Sequence, residues 1–119
     1  MDVDLKKLKN MNERIEKNIE AYLNRKVKQL GGFSIKTGKE GFPDRTIFFK
    51  FGLVYLVETK ALKGKPRKLQ KAVHRRLEKK YDLEVFVLDS KVAVDSFIFQ
   101  TERELKYQKL KYAKRFGKA

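Results

Sequence analysis

Between Ile15 and Leu30 an apolar side chain returns every three or four residues, at Ile15, Ile19, Tyr22, Leu23, Val27 and Leu30. That spacing lines one face of an α-helix. Asn10 or Asn12 can cap its start and Gly31-Gly32 can end it, so a helix is expected over about residues 12–30. Beyond it the pattern shortens: Phe33–Lys36 predicts a strand and Thr37–Pro43 a loop. Thr46–Phe51 and Leu53–Lys60 predict two further strands joined tightly at Gly52. The run from Leu53 is apolar on both faces until Glu58, the mark of a central strand covered on two sides. Pro66 suits the first turn of a second helix that carries Leu69, Val73, Leu77 and Tyr81 on one face. Glu84–Leu88 is a fourth strand. Ser90 can cap a helix through Val94, Phe97 and Ile98, and Thr101 with Glu104 has the form of a capping box opening a last, basic helix. The predicted order is an α/β arrangement, αβββαβ, followed by helical residues.

A chain of 119 residues with 41% hydrophobic content is sized for one domain and one modest core. Its 30 basic and 15 acidic residues leave a formal charge of +15, far more than solubility requires, so the expected partner is a polyanion. No stretch is apolar enough to span a bilayer and the start lacks the apolar centre of a signal peptide, which suggests a cytoplasmic or nucleoid-associated location. The absence of cysteine excludes disulfides, thiolate nucleophiles and Cys-ligated metals. A single histidine, His74, excludes multi-His metal sites within one chain. Carboxylates, amines, amides and hydroxyls remain, and oxygen ligands select hard cations such as Mg²⁺ or Mn²⁺.

Those groups converge at one place in the pattern. Side chains alternate along a strand, so Glu58 and Lys60 share a face with Val54 and Leu56. Asp44 stands eight residues before Gly52, Glu58 six and Lys60 eight after it, so an antiparallel hairpin brings all three to its open end. Pro43 holds Phe42 extended and Gly41 permits a turn, which together aim Asp44 inward. Two plainer accounts compete: a structural Glu58–Lys60 ion pair, and a surface turn at Pro43-Asp44-Arg45. On the first helix Glu13, Glu16 and Glu20 form an acidic line. Glu13 can pair with Lys17, whereas Glu16 and Glu20 find no cation four residues away within the helix. One of these two is expected to face the site. Gln70 and His74 lie four apart on the flank of the second helix, within reach of the strand end.

The ordered set Glu16-x-x-Ile19, Tyr22-Leu23, Leu30-Gly31-Gly32, Lys36, Gly41-Phe42-Pro43-Asp44-Arg45, Val57-Glu58-Thr59-Lys60, Gln70-x-x-x-His74, Leu77, Val85-x-Val87 and Ser90 resembles the VRR-NUC domain of the PD-(D/E)XK nuclease superfamily. The similarity is to the compact stand-alone members found in phages and bacteria and ends near Phe99. It implies a restriction-endonuclease-like αβββαβ core with a mixed central sheet flanked by helices over residues 1–99, and a basic C-terminal helical extension over 100–119. It further implies a metal-dependent DNA endonuclease. Asp44, Glu58 and the Thr59 backbone carbonyl are then the ligands of Mg²⁺ or Mn²⁺, with Lys60 and Gln70 catalytic and Glu16 or Glu20 serving a second metal or its water shell. The threonine inside the Glu58-Thr59-Lys60 triplet departs from the apolar residue expected there, and strand alternation points it away from the site.

Lys63, Lys65, Arg67, Lys68 and Lys71 crowd the connection after Lys60 and, with Lys36, Arg45 and His74, are the expected DNA contacts. In the tail, Tyr107, Leu110, Tyr112 and Phe116 can stack on bases, pack on the domain or pair with a second copy. The stand-alone family members resemble Holliday-junction resolvases, which implies branched DNA as substrate and a homodimer with two active sites. A less selective nickase or flap nuclease is the alternative enzyme, and a non-catalytic DNA-binding module the alternative from another class.

Overall fold

The computed structural model describes residues 2–61 and 67–117. Its elements are α1 (Asp2–Gln29), β1 (Phe33–Lys36), β2 (Arg45–Phe48), β3 (Val54–Thr59), α2 (Lys68–Tyr81), β4 (Val85–Leu88) and α3 (Lys91–Phe116). The expected order is present. Lys63, Lys65 and Pro66 lie outside the described residues.

The four strands form one mixed sheet in the order β1-β2-β3-β4. β1–β2 and β2–β3 are antiparallel, and β4 adds parallel to β3 after the α2 crossover. β3 is thus central, as its apolar run requires. On one face of the sheet Ile47, Phe49 and Val57 meet Ile19, Leu23 and Val27 of α1 and Val94 and Phe97 of α3. Side chains of the other parity, Glu58 among them, face α2.

Gly32 sets how closely the turn after α1 approaches β2. A Cβ there would lie 2.6 Å from the Phe49 ring and 2.8 Å from the Phe48 carbonyl oxygen, so any larger residue pushes the helix off the sheet. At the far end of the β2–β3 hairpin Phe51 takes φ of 64° beside Gly52 at 75°, and the Phe51 ring packs on Tyr112 of α3 with centroids 5.5 Å apart. Part of the tail therefore packs on the domain.

Two helical boundaries differ from expectation. α1 begins at Asp2, about ten residues before the expected start, so Asn10 and Asn12 lie inside it and cap nothing. Good helix formers fill this stretch and neither Gly nor Pro interrupts it. α3 is continuous from Lys91 to Phe116, so Thr101 opens no new helix. Its side chain is buried against the core, and Oγ1 donates back to the Phe97 carbonyl at 2.8 Å, which satisfies the hydroxyl without ending the helix. Ser90 does cap α3, accepting from Ala93 N at 3.0 Å.

Candidate active site

The register of the hairpin decides where the carboxylates sit. Arg45 pairs with Val57, so the next residue outward on each strand sets Asp44 against Glu58. The Asp44 amide donates to Glu58 Oε1 at 3.2 Å, and the Thr59 amide donates to Asp44 Oδ2 at 3.1 Å. These bonds cross the two strand ends and fix each carboxylate by the backbone of the other. Gly41 allows the preceding loop to lie on α2: its φ is 80°, and a Cβ would stand 2.7 Å from Leu69 Cγ. Pro43 is buried behind it.

Glu58 is 1% exposed and both its oxygens are occupied. Oε2 accepts from Gln70 Nε2 at 2.7 Å and lies 3.3 Å from Lys60 Nζ. Gln70 is itself anchored, its Oε1 accepting from the Arg67 amide at 3.2 Å. Burial, and then the nearby Asp44 charge, push the Glu58 carboxyl above its ordinary value, while Lys60 opposes the rise. The like charges call for a cation beyond the single ammonium.

Glu16 and Glu20 separate cleanly. Glu16 Oε1 accepts from the Ala61 amide at 3.2 Å, directly after the Glu58-Thr59-Lys60 triplet. Glu20 is tied to Arg45, with Nη1 to Oε1 at 3.0 Å. Arg45, expected as a DNA contact, is only 9% exposed and also donates to Ser34 Oγ at 2.8 Å and Ser34 O at 3.0 Å. Strand alternation puts it on the same face as Ile47, under α1, where a guanidinium needs partners more than it can offer itself to phosphate. Thr59 also differs from expectation. Its hydroxyl donates to Asp44 Oδ2 at 3.3 Å, because the Asp44 side chain curls around the strand end to the α1 side of the sheet.

The strand ends open into a cleft of about 570 Å³ between α1 and α2, with Glu16, Asp44, Thr59 and Gln70 among its walls and Lys36 and Arg67 on its rim. Lys68 and Lys71 are exposed at the start of α2. His74 is not presented in the same way: Nε2 is buried with no hydrogen-bond partner among the described residues, and burial lowers the ring's pKa below its ordinary value. Lys17 and Lys39 also line the cleft and escaped the sequence reasoning. Lys17 was assigned to Glu13, and Lys39 sits in a loop whose only signal was its glycines.

The sequence matches no family model and no curated protein. A solved structure described as a VRR_NUC domain superimposes with a TM-score of 0.64 and 31% sequence identity, over 71% of this chain and 94% of that one. This chain belongs to the VRR-NUC family. The mixed four-stranded sheet with its three helices is the fold of that neighbour.

Donor chemistry in this VRR-NUC site fits one class of metal. Among the described residues no three His, Cys, Asp or Glu side chains converge as a closed cage. Two coupled carboxylates and neighbouring carbonyl oxygens suit instead a hard ion that keeps several waters and completes its shell with phosphate oxygens, as Mg²⁺ does.

Proposed function

We propose that the chain is a metal-dependent DNA endonuclease that hydrolyses phosphodiester bonds, selective for branched DNA such as a Holliday junction and acting as a homodimer. The observation that carries this reading is the buried, mutually bonded Asp44–Glu58 pair, with Lys60 and Gln70 on it, at the mouth of a basic-rimmed cleft in a +15 chain of the VRR-NUC family.

Asp44, Glu58 and the Thr59 carbonyl are the residues to hold Mg²⁺ or Mn²⁺. Bound there, the ion supplies Lewis acidity toward a phosphate oxygen and acidifies a water. The protein's own groups do the rest. Gln70 holds Glu58 in one rotamer, so that its charge cannot swing away from the strand end. Lys60 brings an ammonium to the same end, where it orients the attacking water or offsets charge developing on the phosphoryl group. Thr59 clamps Asp44 by amide and hydroxyl. Glu16 bonds the Ala61 amide and so holds the exit of β3 against α1, with its carboxylate on the cleft wall. Lys36, Arg67, Lys68 and Lys71 provide phosphate contacts that give affinity and salt dependence.

One observation favours a second reading, a non-catalytic DNA-binding module. Both Glu58 oxygens already have protein partners, as a purely structural ion network requires. A single experiment separates the two. Junction, flap, single-stranded and duplex DNA are incubated with the protein in Mg²⁺, Mn²⁺ or EDTA. Metal-dependent cleavage of the junction that is abolished by Asp44→Asn, Glu58→Gln and Lys60→Ala, with DNA binding retained, supports the nuclease. Salt-sensitive binding of every form with no cleavage of any supports the module.

A further inference from the structure

The apolar side chains of α1 run on past the site in one uncovered line. Leu5, Leu8, Met11 and Ile15 are 66%, 54%, 50% and 41% exposed, whereas Ile19, one turn further, is 4% exposed in the core. Leu5, Leu8, Asn12, Ile15, Ile19 and Tyr22 are spaced alternately three and four apart, the a and d positions of a heptad seam with a polar residue at one a position. The C-terminal half of that seam is filled by the protein's own sheet. Its N-terminal half carries the same pattern with no cover among the described residues. The 28 residues of α1 extend about 42 Å. They help draw the molecule out to 63 × 31 × 20 Å, and the first half of the helix projects beyond Glu16 and the strand ends as an arm.

We propose that this exposed seam binds the same segment of a second copy of the chain as an antiparallel helix pair. A heptad seam specifies another helix, and an isolated polar a position is the device that fixes register and partner number. Orientation follows from space. In a parallel pair the partner's α1 would continue, level with Ile19 to Val27, into the volume that the first copy's sheet occupies. An antiparallel pair carries the partner's domain away past the first copy's N-terminus. Antiparallel seams set a against d. Here Leu5 meets the partner's Ile15 and Leu8 meets the partner's Asn12 in a single register centred on Asn10, so the apolar positions match without a shift.

The contact deepens the paired-site reading above. Ile15 precedes Glu16, so each seam ends at a cleft, and the two Glu16 residues lie about 18 Å apart along the helix axis, on the order of a duplex diameter. A contact this short buries less than the roughly 1,600 Å² of a standard interface, so a reversible dimer is expected and not an obligate one.

Mass, not cleavage, tests the proposal, so it can fail independently of the nuclease reading. Across a dilution series, sedimentation equilibrium of the whole chain should rise from the 14.1 kDa monomer toward twice that mass. Leu8→Glu should remain at monomer mass with an unchanged helical circular-dichroism signal. The chain has no cysteine, so orientation can be read directly. Leu5→Cys mixed with Ile15→Cys should form a disulfide-linked dimer under mild oxidation several-fold faster than either variant alone. Three results overturn the proposal: a wild-type chain that stays monomeric throughout; an Ile15→Cys variant that links efficiently to itself, which means parallel pairing; or a dimer that survives Leu8→Glu but is lost in Val54→Lys. The last would move the interface to the exposed sheet face bearing Phe33, Ile35 and Val54.

Discussion

Exchanging Glu20 and Glu16 for glutamine, one at a time, should produce opposite phenotypes. Both sit on α1 one turn apart, both line the same cleft, and both carry the same charge. Their partners differ. Glu20 neutralises Arg45, whose side chain is 10% exposed, while Glu20 itself is 24% exposed. Removing one member of a fully buried pair costs about 3–5 kcal/mol, because the survivor stays charged and desolvated. Two features reduce that figure. Arg45 keeps its two bonds to Ser34, and the partial exposure of Glu20 lets water replace some of the lost interaction. Glutamine also preserves a hydrogen-bond acceptor, so about 2 kcal/mol is the expected loss for Glu20→Gln. For a domain of this size that corresponds to a melting temperature lower by about 8 °C. Glu16 bonds one backbone amide, so Glu16→Gln should cost no more than about 1 kcal/mol. Cleavage should show the reverse order, with Glu16→Gln losing at least about tenfold in rate, the equivalent of one interaction of about 1.4 kcal/mol in the transition state. Glu20→Gln, assayed well below its melting point, should remain near the parent. Urea unfolding and initial rates on a junction substrate provide both axes. Glu20→Gln unfolding within about 0.5 kcal/mol of the parent, or losing activity while Glu16→Gln keeps it, would refute the assignment of Glu20 to structure and Glu16 to the site.

Other consequences are open to direct measurement. Gly41→Ala combines a φ of 80° with a 2.7 Å approach to Leu69. It should lower stability by about 1–3 kcal/mol in thermal melts and reduce cleavage, since the same loop delivers Asp44. Thr59→Val deletes the hydroxyl on Asp44 Oδ2 but keeps the amide, so a stability loss of about 1 kcal/mol and a several-fold slower reaction are expected from paired melting and rate measurements. The raised pKa of Glu58 gives a pH signature with a definite sign. Between the ordinary carboxylate value and the higher folded value the native state binds more protons than the unfolded one, so metal-free stability falls as pH rises through that window. Glu58→Gln should therefore gain on the parent as pH rises, in urea midpoints taken in EDTA. Added Mg²⁺ should raise the parent's melting temperature more at neutral than at acidic pH, and an equal rise in Asp44→Asn would show that the ion binds elsewhere.

Much of this molecule is set by local pattern. The alternation that puts Glu58 and Lys60 on one face and the residue count around Gly52 are properties of the extended chain, so the meeting of Asp44 with Glu58 was legible before any fold was known. The same holds for β1, whose bounds were read as Phe33–Lys36, and for the Ser90 cap. Helix length was less legible. Asn10, Asn12 and Thr101 are residue types that cap helices or continue them depending on what their side chains meet, and Thr101 meets its own helix's Phe97 carbonyl. What the tertiary structure alone decided are the pairings between distant elements. Glu16 and Glu20 are equivalent on an isolated helix and differ only because one faces Ala61 and the other Arg45. Arg45 is one more cation in a basic chain until β2 turns it under α1. Backbone geometry repeats every two or 3.6 residues and leaves its trace in the sequence, whereas which buried charge finds which partner depends on packing between segments many residues apart.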